Sequence, residues 1–172
     1  KADAASTISA LIDKGITPWL VTGDNEESAA AIARTVGIKG EHVIARALPE
    51  EKLARVSALK AAGHTVLMIG DGINDAAALA AADLSMAMGT GTDTAISSAD
   101  ITLMRPELMS AVDALNLSKR TLTTIKTNLG WAFAYNVIGL PIAAAGLLTP
   151  MYAAASMAVS SLFVVTNSLR IK

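Results

Sequence analysis

Two short stretches carry most of the residues able to do chemistry. Thr22-Gly23-Asp24-Asn25 follows the apolar ITPWLV (16–21), and Gly70-Asp71-Gly72-Ile73-Asn74-Asp75 follows TVLMI (65–69). Each is an apolar run, a glycine turn and the start of a helical pattern, which aims backbone N–H groups and a helix dipole at an anion. Asp71 brings a carboxylate to the same place. A bare carboxylate beside a phosphate is repelled, so a hard cation, most simply Mg²⁺, is expected between them. Asp and Gly at such junctions also serve as plain caps and turns, so either stretch alone fits a structural role. Lys52 falls between the two stretches in sequence, on a charged helix that otherwise reads as a solvated face.

The elements that must position these turns alternate in type. Helices are expected over 3–14, 25–38, 49–62, 73–82 and 93–98, with strands over 16–21, 42–45, 64–70, 84–88 and 100–104. Pro49 at a first helical position and Gly37 and Gly63 after last ones mark the helix limits. Strands alternating with helices imply a parallel sheet covered on both faces, with ligands beyond the carboxyl ends of the strands. Both polar turns sit at such ends.

The chain of 172 residues is 52% hydrophobic, high for a soluble domain, and the cause is local. Thr127 to Leu169 contains no Asp, Glu, Lys, Arg or His, and Gly146 and Thr149-Pro150 interrupt it near the middle. The run exceeds the roughly 20 apolar residues of one membrane helix, so a transmembrane hairpin is expected, about 127–148 and 151–169, with its turn near Leu148 to Met151. Lys119, Arg120 and Lys126 before it, and Arg170 and Lys172 after it, put both ends on the cytoplasmic side. The competing reading is a buried helical pair in a globular core. The expected division is 1–106 α/β, 107–126 a cytoplasmic helical linker and 127–172 the hairpin. A net charge of −1 gives no electrostatic ground for a nucleic-acid partner, and the absence of cysteine excludes disulfides and thiolate metal sites within these residues. The opening KADAAST lacks the basic-then-apolar pattern of a secretory signal.

TGDN (22–25), PEEK (49–52), GDGINDAAAL (70–79) and GTGTDTAISSADITLM (89–104) together resemble the second half of the phosphorylation domain of P-type ATPases, within the haloacid-dehalogenase-like superfamily. The resemblance extends through the helical hairpin and implies a haloacid-dehalogenase-like Rossmann-type fold, here partial. It implies that Thr22 and Gly23 hydrogen-bond the transferred phosphoryl, that Lys52 neutralises it and that Asp71 ligates Mg²⁺. Asn74 and Asp75 then organise the phosphate and metal site, and Asp24 lies near docked ATP. Such a site relies on positioned donors and cations more than on covalent chemistry. Ala77 stands where the family usually has proline. The family's nucleophile motif DKTGT is absent, and Asp13-Lys14-Gly15-Ile16-Thr17 does not replace it, because it precedes a strand instead of following one. The nucleotide-binding and actuator domains and the earlier membrane helices are absent too, so the chain is expected to be the carboxy-terminal piece of a pump and inactive alone.

The hairpin carries Tyr135 and Asn136 in WAFAYN, and Met157 and Ser161, four residues apart and on one helix face, in MAVSS. Polar groups at membrane depth often mark ion pathways, though interhelical hydrogen bonding and small-residue packing also account for them. A thioether, a phenol and an amide make a soft, uncharged set suited to Cu(I). YN followed by MxxSS resembles the copper(I)-transporting members of the heavy-metal subgroup, with silver or another transition metal as further cargo. That resemblance implies a multi-pass protein of the plasma (inner) membrane, with 1–126 and the carboxy terminus cytoplasmic and cysteines supplied by an earlier helix. His42 and His64 have no partner at ligand spacing. A membrane-tethered phosphatase of the same superfamily, and a short non-catalytic partner of a full pump, are the alternative functions.

Overall fold

The computed structural model describes residues 2–147 and 149–171. The chain divides into two compact units, Lys1–Val112 and Asp113–Lys172.

The first unit runs α1 (Ala4–Asp13), β1 (Leu20–Val21), α2 (Glu26–Val36), β2 (Val43–Ile44), α3 (Pro49–Ala61) and β3 (Leu67–Gly70). A 3₁₀ turn at Ile73–Asp75 then leads into α4 (Ala76–Ala81), β4 (Leu84–Met88), α5 (Asp93–Ser97) and β5 (Ile101–Leu103). All pairing is parallel, as the alternation predicts, but it forms two sheets: β1 with β2, and β3-β4-β5. The first strands are shorter than expected. Pro18 has no N–H for a ladder and constrains Thr17 before it, so pairing in ITPWLV is confined to its last residues. Val66 donates its N–H to Asp83 Oδ2 at 2.9 Å, so β3 starts only after it.

The core gathers around β4, where Ser85, Met86, Ala87 and Met88 are buried against Ala78 and Leu79 of α4. Ser85 is the polar member, and Asp100 at the foot of β5 satisfies it. The Ser85 N–H and hydroxyl donate to Asp100 Oδ2 at 2.9 and 2.8 Å, and the Asp100 N–H donates to Ser85 Oγ at 3.0 Å. These bonds, the hydroxyl's first and the N–H's second, hold the Asp100 carboxyl below its ordinary range. The stability this clamp contributes is therefore present above the ordinary carboxylate pKa and is lost as pH falls through the lowered value.

The second unit contains α6 (Met109–Ala144), which begins in the first, and α7 (Pro150–Ser168). The expected linker at 107–126 and the first hairpin helix are thus one continuous helix from Met109 on. Gly146, at φ 72°, follows the end of α6, and Thr149 caps α7 with Pro150 at its first position. The helices meet through Trp131 and Phe163, with ring centroids 4.8 Å apart, and through an amide clamp. Asn167 Nδ2 donates to Asn128 Oδ1 at 2.8 Å, and Asn128 Nδ2 donates to Ser168 Oγ at 2.9 Å.

The expectation of two membrane-spanning helices is not confirmed by the helices themselves. Among the described residues no helix is long and apolar enough to cross a membrane. Charged residues occupy the first half of α6, and Asn128, Tyr135, Asn136 and Pro141 dilute its second; Tyr152, Thr166 and Asn167 do the same for α7. Leu148, in the expected turn, and Lys172, in the expected basic flank, lie outside the described residues.

Candidate phosphate and metal site

Each turn grows from a strand end. After β1, the Thr22 hydroxyl donates to Asp24 Oδ2 at 2.9 Å, and the Asp24 N–H donates back to Thr22 Oγ1 at 3.2 Å. This closes the loop around Gly23 and places the Thr22 hydroxyl at the strand's carboxyl end. Asn25 then caps α2 by accepting the Ser28 N–H at 2.9 Å. The neighbouring loop after β2 is held against it: the Arg46 N–H donates to the Asp24 carbonyl at 2.7 Å and the Ala47 N–H to that of Thr22 at 2.9 Å. Arg46 adopts φ 52°, the left-handed region that a side chain adopts at a cost, and nothing in its sequence signals this.

After β3, the turn is organised by Asp75. Its side chain accepts Lys52 Nζ at Oδ1 (2.7 Å) and the Gly72 N–H at Oδ2 (3.2 Å). Both partners of the ion pair are largely buried, with 15% of the Lys52 side chain and 11% of that of Asp75 exposed. Such a pair tolerates burial only because each charge meets the other, and here Asp75 has a second hydrogen bond as well. Gly70 is required beside it, since a Cβ there would lie 2.9 Å from Asp75 Cβ. Asp71 and Asn74 are exposed on the same turn.

The helix that carries Lys52 is not simply a solvated face. α3 runs alongside α4, with Lys52 at the Asp75 end and Lys60 at the other, where Nζ donates to the Ala81 carbonyl at 2.7 Å and meets Asp83 at 3.1 Å. Between them Arg55 stacks on Trp19, 3.8 Å from the ring centroid, and Trp19 in turn meets the His42 ring at 4.5 Å. Three cations of α3 therefore have structural partners, and Lys52 is fixed at one end of the row. Spacing along the chain does not disclose this, because 23 residues separate Lys52 from Asp75.

Sequence reading also missed Gly91. A Cβ there would come within 2.7 Å of the Asp71 carbonyl oxygen, which accepts the Thr92 N–H at 3.0 Å. The GTGT segment thus packs directly on the backbone of Asp71. Its only trace in the sequence is a pair of glycines flanking a threonine.

The donor set fits Mg²⁺ in one particular way. Among the described residues no cluster of three or more His, Cys, Asp and Glu is placed to hold a metal. Mg²⁺, however, is commonly held by one or two carboxylates together with waters and phosphate oxygens. Asp71 is an exposed hard oxygen donor at a strand end, while Asp75 is engaged by Lys52 and Gly72. The residues therefore suit a cation carried partly by a phosphate, with Asp71 as the protein ligand.

In the hairpin, Tyr135 lies half-buried on α6. Asn136, Met157 and Ser161 are exposed, Met157 to 67%. Asn136 Nδ2 donates to the Ala132 carbonyl at 2.7 Å.

Comparison with known proteins adds the following. A family model described as haloacid dehalogenase-like hydrolase matches residues 1–83. A protein of Mycobacterium tuberculosis named copper-exporting P-type ATPase is 53% identical over all 172 residues, which span 22% of that relative's length. A cation-transporting P-type ATPase B of Mycobacterium leprae is 53% identical over 171 residues, again 22% of its length. Among solved structures, a zinc-transporting PIB-type ATPase superposes over 99% of this chain and 28% of its own, with a TM-score of 0.89 at 36% identity. The catalytic domain of a CPx-ATPase matches 64% of this chain and 43% of its own, with a TM-score of 0.59 at 35% identity.

Proposed function

The chain belongs to the P-type ATPase family, and from that premise we propose that its residues form the carboxy-terminal part of an ATP-driven heavy-metal exporter whose cargo is Cu(I). The reading is carried by one observation: Lys52, from α3, is held 2.7 Å from Asp75 in the turn that also presents Asp71. A fixed cation and an exposed carboxylate at adjoining strand ends suit a phosphoryl group that is bound, transferred and released. Thr22 and Gly23 donate to the phosphoryl oxygens, Lys52 offsets their charge, and Asp75 keeps Lys52 in place. Asn74 is a further donor at the rim, and Asp24 sets the Thr22 hydroxyl near the nucleotide. Mg²⁺, held by Asp71, would supply the charge neutralisation that lets the carboxylate and phosphate share the site.

The nucleophile belongs to the remainder of the pump, and the sheets leave room for it. Among the described residues β3 pairs only with β4 and β1 only with β2, and every residue of β1, β2 and β3 is only half-buried. Four of the five residues of β4, paired on both sides, are buried. A strand carrying the phosphorylated aspartate between β1 and β3 would complete one sheet and bring its carboxylate to the turns. The nucleotide-binding and actuator domains and the earlier membrane helices come from the same remainder.

α6 from Thr127 on and α7 are proposed to lie in the bilayer, packed with those other helices. Exposed apolar side chains run along both, with Val137, Ile138, Leu140, Val159 and Leu162 each more than 60% exposed. Several polar side chains here find partners within the pair, which suits hydrocarbon: Thr127 donates to Thr123, Asn136 to Ala132, Ser156 to Tyr152 and Ser168 to Val164, beside the Asn128–Asn167 clamp. The exposed Asn136, Met157 and Ser161, with the half-buried Tyr135, are then available to a neighbouring helix. The Met157 thioether favours Cu(I), and the set holds no carboxylate of the kind that hard cations take.

Asp71→Asn in the complete protein is expected to abolish metal-dependent phosphorylation from ATP, read as radiolabel on the polypeptide. Undiminished labelling would reduce Asp71 to a turn residue and remove the site assignment with it.

A further inference from the structure

Asp3 occupies the position before α1, where an aspartate ordinarily accepts hydrogen bonds from the first N–H groups of its own helix. Its side chain makes no such bond to α1. Oδ2 accepts the N–H of Met109 instead, at 2.7 Å and 106 residues further along the chain. The start of α1 is held by the Asp3 carbonyl, which accepts the Thr7 N–H (2.9 Å), the Thr7 hydroxyl (2.8 Å) and the Ser6 hydroxyl (2.8 Å). Thr7 is completely buried. These bonds fix the Asp3 backbone at the head of α1, and its carboxylate accepts from α6.

Met109 is the first residue of α6, and its N–H is among the four that no helix satisfies internally. A carboxylate there also complements the positive end of the helix dipole. Ser110, Ala111 and Val112 behind it are buried in the α/β unit, so the first turn of α6 is seated there. α6 continues without interruption through Tyr135 and Asn136. α1 packs on α2, which Asn25 starts directly after Thr22-Gly23-Asp24. We propose that Asp3 is a positioning residue: its carboxylate ties the start of α6 to α1, so that displacement of the α1–α2 layer is passed into the helix that bears Tyr135 and Asn136. The consequence for transport rests on the pump reading above, whereas the tie itself does not.

Two measurements test it separately. Hydrogen exchange on the 172-residue chain in detergent should show the Met109–Val112 amides exchanging about tenfold faster in Asp3→Ala, while Asp3→Asn, which keeps an acceptor, stays close to the parent. Met109→Pro, which removes the donor at a position where proline suits a helix, serves if Asp3→Ala does not fold, and should accelerate exchange at the following amides likewise. Unchanged protection in the folded variants overturns the tie. In the complete pump, Asp3→Ala should still be phosphorylated by ATP, but stimulation by Cu(I) should fall about tenfold, within the usual span of coupling between sites, and Asp3→Asn should restore most of it. A proportional loss with and without metal would mean a merely structural residue and overturn the positioning role. If the parent pump shows no metal stimulation, the pump reading fails, and hydrogen exchange alone decides the tie.

Discussion

Lys52→Met is expected to destabilise the chain by about 3 to 5 kcal/mol, because it leaves the Asp75 carboxylate buried without its counter-charge. Only 11% of the Asp75 side chain is exposed, so water cannot replace the ammonium group. The Gly72 N–H, at 3.2 Å, remains as a single partner for the carboxylate. A loss of that size is a large fraction of the roughly 5 to 15 kcal/mol that holds an ordinary domain together. Pairing Lys52→Met with Asp75→Asn should recover much of the loss, since neither charge is then stranded. Denaturant unfolding of the single and double variants reads both effects. If Lys52→Met unfolds at the parent's midpoint, the ion pair is not formed as described, and the fixed cation at the centre of the functional reading goes with it.

The second large effect is expected from Gly91→Ala. The added Cβ would lie 2.7 Å from the Asp71 carbonyl oxygen, 2.9 Å from that of Met88 and 3.1 Å from Asp71 Cα. All three are backbone atoms, and both oxygens are in use, accepting the Thr92 and Gly91 N–H groups respectively. No flexible side chain can yield, so either the loop bearing Gly91 or the turn bearing Asp71 must move. Overpacking of this kind costs about 1 to 3 kcal/mol, occasionally more. Phosphorylation of the complete protein should fall well beyond the loss of folded material, because the crowded group is the proposed metal ligand. Gly40→Ala, where nothing lies within 4 Å of the added atom, is the matched control and should be silent. Equal thermal stability and equal phosphorylation in Gly91→Ala would show that the GTGT segment does not support Asp71.

How far the sequence disclosed this arrangement varies from element to element. The strand LSMAM is observed with the expected limits, Leu84–Met88, because a strand paired on both sides reads as a short run in which only Ser85 is polar. ITPWLV was legible as a strand but not in length, since Pro18 interrupts pairing and the apolar residues before Leu20 stay outside the ladder. The helix at 49–61 was legible from Pro49 and its charges, yet its cations read as solvated when Lys52, Arg55 and Lys60 each reach a partner distant in sequence. Long-range pairs of this kind leave no periodic trace. The same holds for Asp3 and Met109, and for the approach of Gly91 to Asp71. In the hairpin, the break at Gly146 and Thr149-Pro150 was legible, and so was the shared face of Met157 and Ser161. Which neighbour this face meets was not, because periodicity orders residues around a helix without saying which side meets a neighbour.

The central claim is that these residues serve a metal-driven phosphorylation cycle. Its most direct test is the transfer of radiolabel from ATP to the complete protein, with Cu(I) either added or chelated. The account predicts an acyl-phosphate, released by hydroxylamine, that forms when Cu(I) is present and is absent when it is chelated. Labelling that is indifferent to Cu(I), or no labelling at all, would contradict it.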